Sequence, residues 1–415
     1  METVPAEILA AAKKSADEWS GDERKELLGY RAEQDPEISA LNRDIADLEK
    51  EITKLAPDTT LVMVELDEPR MTSVFQRGDY RNPGERVQPG VPAVLHPAES
   101  QSGDRLALAR WLVAPSNPLV ARVTVNRWWA ELFGRGIVTT LEDFGIKGDP
   151  PSHPDLLDWL AVEFVEQGWS MKRVLRTIVT SSTYRQSSRA TPELLQRDDA
   201  NGLLARGPRF RMRAEMIRDT ALAAAGLLSL KQFGPPIRPY QPPGIWSKVG
   251  GTNYEYVVSS GEDQFRRGVY VVLKRGSPYP SLINFDATSR LTCTVRRSRT
   301  NTPLQALTLL NDPAYVQAAK ALAKRIVDEQ PAATVTDRIA YGFLLCTSRH
   351  PTKAESQTLS ELFTEQLQAA QADEAAAKQL VGDVDIPADV AAAELAAWYS
   401  VATTLLNLHE TITKE

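Results

Sequence analysis

The sequence predicts a mainly α-helical fold: a multi-helical body with one small β-sheet insertion and long Pro/Gly-rich loops. Three observations carry this reading. Apolar residues recur in steps of three and four along much of the 415-residue chain, the period of one helix face. Several of these stretches open on a capping residue followed by proline, and some close on glycine. Only two runs read as strands, Leu61–Glu65 and Gly268–Leu273, the second with Tyr254–Val258 as its pairing partner.

Taken in order, Ile38, Leu41, Ile45, Leu48, Ile52 and Leu55 form a heptad seam with charges between them. The seam is too short for a free-standing coiled coil. It reads as one arm of an antiparallel helical hairpin, with Ala6–Tyr30 as the other arm and a capping box over Ser20–Glu23. Leu61–Glu65 reads as a short buried strand. Residues 76–97 are rich in Gly and Pro, which marks a loop or linker. A boundary near residue 100 then gives two domains: 1–100, with the hairpin, strand and linker, and a mainly helical 101–415 with the β insertion near 250–275.

Asp104–Ala114 is a helix pattern, and Asn117-Pro118 starts the next one. That helix carries Val125, Trp128, Trp129, Leu132 and Phe133 on one face and ends at Gly134. Helices also follow Ser152/Pro154 and Ser170, and Ala214–Leu228 is helical. Residues 233–246 are Pro-rich and aromatic, a path fixed by its prolines. Thr302-Pro303-Leu304-Gln305 has the form of a capped start with a closing box, and Asp312-Pro313 opens another helix. Val335–Leu345, Thr352–Ala372 and Asp389–Leu408 complete a helical last third.

Composition excludes several functions. With 42% hydrophobic and 25% charged residues the chain has an ordinary globular mix, and its net charge of −6 opposes a nucleic-acid footprint. A helix-turn-helix reading of 152–180 finds only Lys172, Arg173 and Arg176 for contacts. No apolar run is long enough for a membrane span, and Met1–Gly21 lacks the pattern of a signal peptide. The two cysteines, Cys293 and Cys346, make no disulfide framework and no haem-attachment motif. The four histidines (His96, His153, His350, His409) have no zinc-ligand spacing. No cofactor is therefore expected in this chain. P-loop, Gly-x-Gly-x-x-Gly and Gly-x-Ser-x-Gly signatures are absent, and Asp143-Phe144-Gly145 matches the kinase triplet by letters only.

The segment from Asn284 to Leu307 is the densest in donors. It holds Arg290, Arg296, Arg297, Arg299, Asp286, Cys293 and Asn301. It reads either as a structural arginine network or as a pocket for an anionic or polyhydroxylated ligand. In the second reading Arg290, Arg296, Arg297 and Asn301 contact acidic groups and Trp246 stacks a sugar ring. The aromatics Trp246, Tyr254, Tyr256, Tyr270 and Tyr279 suit either stacking or packing. Arginine neighbours would lower the Cys293 thiol pKa if they approach in space. Carboxylate pairs for glycoside hydrolysis are Glu142/Asp143, Glu215/Asp219 and Glu262/Asp263, with Asp286 as a further group. Of these, Asp286 and Glu215 are the acid or base candidates.

Several long motifs occur in a fixed order: Asn117 to Trp129, Phe133-Gly134-Arg135-Gly136-Ile137-Val138, Glu142 to Gly145, Pro151 to Ala161, Arg213 to Asp219, Tyr240 to Trp246, Thr300 to Pro313 and Leu405 to Glu410. Together they resemble domain of unknown function 1553, the C-terminal domain of large planctomycete-type proteins. Arg70 to Tyr80 resembles the junction with a companion domain of unknown function 1549, so residues before about 100 are similar to that domain's tail. The resemblance implies a longer protein with a signal peptide and a c-type cytochrome domain, where any haem would sit. It also implies export to a periplasm-like compartment and a link to complex polysaccharide breakdown, and it carries no established catalytic residues. Three functions are therefore expected: a binding or scaffold module for anionic or sulfated polysaccharide, a hydrolase using Asp286 or Glu215, or a structural partner of a cytochrome domain absent from this chain.

Overall fold

The computed structural model describes the chain except for residues 1–3, 56–58, 69, 98–102, 247–254, 388–389 and 415. Two small two-stranded sheets accompany sixteen α-helices among the described residues, so the fold is mainly α. The chain divides into two units, Met1–Pro89 and Gly90–Glu415, and the division falls inside the Pro/Gly-rich stretch.

In the first unit, α1 (Ala6–Ala12) is followed by α2 (Gly21–Gln34) and α3 (Pro36–Leu55). The expected capping box forms at α2. Ser20 Oγ accepts from the Glu23 N–H at 3.2 Å, and the Glu23 carboxylate accepts from the Ser20 N–H at 3.0 Å. Asp35 opens α3, its carboxylate accepting from the Glu37 N–H at 2.9 Å. The heptad seam of α3 is not packed into a hairpin, however. Its six apolar residues are between 38% and 82% exposed. Ala11 is the only buried hydrophobic among the described residues of this unit. The strand expected at Leu61–Glu65 is not formed either. Those residues are exposed and lie in no strand, and a strand needs paired N–H and C=O groups. The hairpin lies further on, where β1 (Thr72–Phe75) pairs antiparallel with β2 (Pro83–Val87). Its turn is held by Asp79, which accepts from the Arg81 N–H and guanidinium at 3.0 Å each.

The second unit has two hydrophobic clusters. The first joins α5 (Val120–Phe133), α6 (Pro154–Glu166) and α7 (Met171–Thr180), with α4 (Arg105–Leu112) preceding them. Asp104 caps α4 and Asn117 accepts from the first N–H groups entering α5. Val125, Trp129, Leu157, Leu160, Phe164 and Ile178 are buried there, with Trp129 stacked on Phe133 at 4.0 Å. The tryptophan stripe is thus core, and burying each such side chain is worth about 2 kcal/mol.

After α8 (Pro192–Arg197) and β3 (Phe210–Arg211), the second cluster collects α9 (Ala214–Ala224), α10 (Pro280–Asn284), α11 (Pro303–Asn311), α12 (Pro313–Glu329), α13 (Val335–Thr347), α14 (Lys353–Ala372), α15 (Glu374–Val381) and α16 (Ala392–Asn407). Leu322, Ala323 and Ile326 of α12 meet Trp398, Val401, Ala402 and Leu405 of α16, all fully buried. β4 (Thr413–Lys414) returns to pair antiparallel with β3, Phe210 opposite Lys414.

No described residue of 255–275 lies in a strand, and Tyr254 lies outside the described residues. Gly268–Tyr270 is a 3-10 turn, and Val271 makes one isolated parallel bridge to Ile237. The reason is Arg266, which is buried and lies over the Tyr270 ring at 3.9 Å. Its guanidinium donates to the carbonyls of Lys231, Phe233 and Pro235. Satisfying that cation wraps the Pro-rich segment around it, and the Val/Tyr run 269–272 follows the wrap instead of a ladder. The capping box expected at Thr302 does not form: the Thr302 side chain makes no cap hydrogen bond, and the Gln305 side chain is buried and turned toward Thr300.

Candidate functional site

A cleft of about 760 Å³ opens in the second unit. Its walls are the end of α5 with the following turn, the start of α9 and the loop 295–299. Local sequence builds each wall. α5 ends at Gly134 with φ +78, and a Cβ there would stand 2.6 Å from the Phe210 ring. Only glycine fits both the left-handed backbone and the close approach. The buried Asn126 amide then pins the turn, accepting from the Val138 N–H at 2.9 Å and donating to the Val138 carbonyl at 3.0 Å. Arg135, inside that turn, lines the cleft.

The opposite wall is the arginine-rich loop. Its base is a staple: the Asp286 carboxylate accepts from the Thr300 N–H at 2.7 Å and the Thr300 hydroxyl at 2.8 Å. The Gln305 amide donates to the same hydroxyl oxygen at 3.0 Å. Asp286 itself adopts φ 63, a left-handed geometry that Asp tolerates better than most residues. Further along, the Arg297 guanidinium donates to both carboxylate oxygens of Glu215 on α9, at 2.8 and 2.9 Å.

Five arginines line this cleft: Arg135, Arg213, Arg296, Arg297 and Arg299. Arg213 is paired with Glu131, and Arg297 with Glu215. Among the described residues Arg135, Arg296 and Arg299 have no carboxylate at ion-pair distance, although Asp198 acts on Arg135 and Glu131 on Arg299 from further off. Arg299 lies over the Phe210 ring at 4.2 Å. Burial holds its pKa below the ordinary guanidinium value, Glu131 opposes that, and Arg213 and Arg296 push it lower still. An anion in the cleft would relieve this crowding of like charges.

The structure distributes the sequence candidates unevenly. Arg296 and Arg297 line the cleft, whereas Arg290 and Asn301 are exposed and do not. Trp246 is only 5% exposed. Its indole N–H donates to the Ser277 carbonyl at 3.1 Å, its ring meets Tyr256 edge-on at 4.8 Å, and the Lys274 ammonium sits 4.8 Å from its centroid. With both the ring and its N–H engaged in packing, Trp246 offers no open face for a sugar. Tyr256 and Tyr279 are likewise packing residues, their hydroxyls donating to the Pro239 and Tyr240 carbonyls.

The acid–base candidates are each held by a structural partner, Asp286 by Thr300 and Glu215 by Arg297. Asp219, one helical turn from Glu215, instead accepts from the Gly268 N–H at 2.6 Å. Its neighbour Arg218 is buried and donates to the carbonyls of Gln264 and Arg266 at 2.7 Å each, which fastens segment 264–268 onto α9. Burial raises the Asp219 carboxyl above its usual range, and the Gly268 N–H, Arg218 and Arg267 oppose the rise. Asp143 caps a turn at Gly145, and Asp263 pairs with Lys231 at 2.9 Å. Cys293 is exposed and Cys346 is buried. No group of His, Cys, Asp or Glu suited to a metal ion occurs among the described residues. Nor, among them, is any helix long and apolar enough to cross a membrane.

Sequence reasoning did not single out Arg135 or Arg299 as ligand contacts. The signal for Arg135 was its place between Gly134 and Gly136; the signal for Arg299 was its place in the arginine run.

A family model described as "PSD1: Protein of unknown function (DUF1553)" matches residues 104–363, more than half of the chain and the whole of the cleft lining. No curated protein and no solved structure matches the chain.

Proposed function

The chain belongs to the DUF1553 family, and from that premise we propose that its second unit is a binding module for a polyanionic ligand, with sulfated polysaccharide as the first candidate. One observation carries the proposal: three unpaired arginines, Arg135, Arg296 and Arg299, surround a cleft of about 760 Å³. Guanidinium forks match sulfate and carboxylate geometry and are less strongly hydrated than an ammonium group. The cleft is too large for a lone inorganic anion and lies within the size range of ligand sites. No aromatic residue lines it among the described residues, so recognition there rests on charge and not on ring stacking. The paired arginines, Arg213 and Arg297, position the walls.

The hydrolase reading gains nothing from these residues. A glycosidase needs two carboxylates facing one bond, whereas Asp286 and Glu215 are each committed to a structural partner. The test compares binding of dextran sulfate and unmodified dextran by the purified chain and by Arg135→Ala/Arg296→Ala. Each charge-assisted contact is worth about 1 kcal/mol or more, so the double variant should bind the sulfated polymer roughly tenfold or more weakly. Equal binding of both polymers, or unchanged affinity in the variant, overturns the proposal. New reducing ends in the same samples would return weight to hydrolysis.

A further inference from the structure

The six seam residues of α3 stay between 38% and 82% exposed, and no described element of their unit buries them. Isoleucine occupies every first position (Ile38, Ile45, Ile52) and leucine every fourth (Leu41, Leu48, Leu55), the alternation that favours pairing of two helices. The helix is 20 residues long, so the seam runs for about 30 Å.

The residues flanking the seam decide what can cover it. Those beside the core positions are Glu37, Asn42, Asp44, Glu49 and Glu51: four carboxylates and an amide, with no cation. In a parallel pair of two copies Asp44 of one would face Glu49 of the other. In an antiparallel pair carboxylates again face carboxylates. The basic residues of the helix, Arg43, Lys50 and Lys54, occupy the positions away from the seam. Self-pairing therefore places like charges along both edges, which pairing helices avoid. We infer that α3 is a docking helix for a partner helix of opposite sign, with aliphatic residues at heptad spacing and lysine or arginine at its flanking positions.

The test uses the full chain and two labelled three-heptad peptides. Both carry Ile and Leu in the seam, one with Lys and the other with Glu at the flanks. Fluorescence anisotropy should show the Lys-flanked peptide bound and the Glu-flanked peptide roughly tenfold or more weaker, with binding of the first falling as salt rises. Ile45→Asp/Leu48→Asp, at exposed positions, should abolish binding while circular dichroism stays unchanged. Asp44→Lys/Glu49→Lys/Glu51→Lys keeps the seam intact and should reverse the preference between peptides. Failure of both peptides to bind, equal binding of both, or a chain dimer in sedimentation velocity that Ile45→Asp/Leu48→Asp dissociates would each overturn the inference.

Discussion

Gly342 sits inside α13, where glycine is ordinarily a poor choice, and replacing it separates two physical effects of opposite sign. By helix propensity alone, Gly342→Ala should stabilise the protein by about 1 kcal/mol. The packing predicts the reverse. A Cβ at this position would stand 2.6 Å from Ile326 Cδ1 on α12 and 3.1 Å from Leu405 Cδ1 on α16. Carbon atoms prefer roughly 3.5–4.0 Å, so the first contact overlaps by about 1 Å. Ile326 and Leu405 are fully buried and cannot swing into solvent. Overpacking of this kind costs about 1–3 kcal/mol, so after the propensity gain the variant should be less stable by about 1 kcal/mol. Ile326→Val deletes the offending Cδ1 and by itself should cost about 1 kcal/mol. Combined with Gly342→Ala it should cost less than the sum, with a coupling of about 1 kcal/mol. Urea unfolding of the four proteins, compared at equal m-values, measures every term. A Gly342→Ala protein more stable than its parent would refute the claimed approach of the three helices.

Other expectations can be checked independently. Asp286→Ala removes the acceptors for Thr300 at a left-handed position and should loosen the arginine loop by about 1–3 kcal/mol, seen as faster tryptic cleavage after Arg290 and Arg296; an unchanged rate would mean the staple is not what holds the loop. The Arg349 guanidinium beside Glu355 holds its carboxyl down at about 2, against an ordinary 4.5. Because the folded value lies below the unfolded one, this contribution is present above pH 4.5 and is lost as pH falls toward 2. Glu355→Gln, which can still cap α14, should therefore be less stable than the parent near neutrality, with the difference closing across that window; a gap that does not change with pH would contradict the pairing. Burial pushes the Cys346 thiol up to about 12 while Cys293 is exposed, so a thiol reagent should titrate one cysteine in the native protein and two after unfolding.

What the sequence disclosed follows the range of the forces involved. Helix starts were legible because their caps are local: Ser20, Asp104 and Asp312 each bond an N–H two or three residues ahead. The tryptophan stripe of α5 was legible as core because its period is a property of one helix. The arginine loop was legible as a cluster, but its geometry was not. The partner of Arg297 lies 82 residues away, as does that of Arg213, and Arg135 enters from a turn pinned by Asn126 and by Ser152. Trp246 looked available because its loop is Pro-rich; its cover comes from Ser277 and Tyr256. The strand expected at 268–273 failed for the same kind of reason, since Arg266 draws on carbonyls more than thirty residues away. The seam residues of α3 do lie on one helix, but a heptad states what a helix can pair with and not whether the pair is present.

The short pairing of β3 with β4 has a temporal consequence. Phe210, the ring beneath Arg299, is bridged to Lys414, whose ammonium donates to the Leu132 carbonyl at the end of α5. About 200 residues separate the two strands in the chain. At ribosomal rates of about 5–20 residues per second, Phe210 emerges roughly 10–40 s before the residues that fix it. The α5 cluster can therefore pack before the bridge that backs Phe210, beside the cleft, has been synthesised.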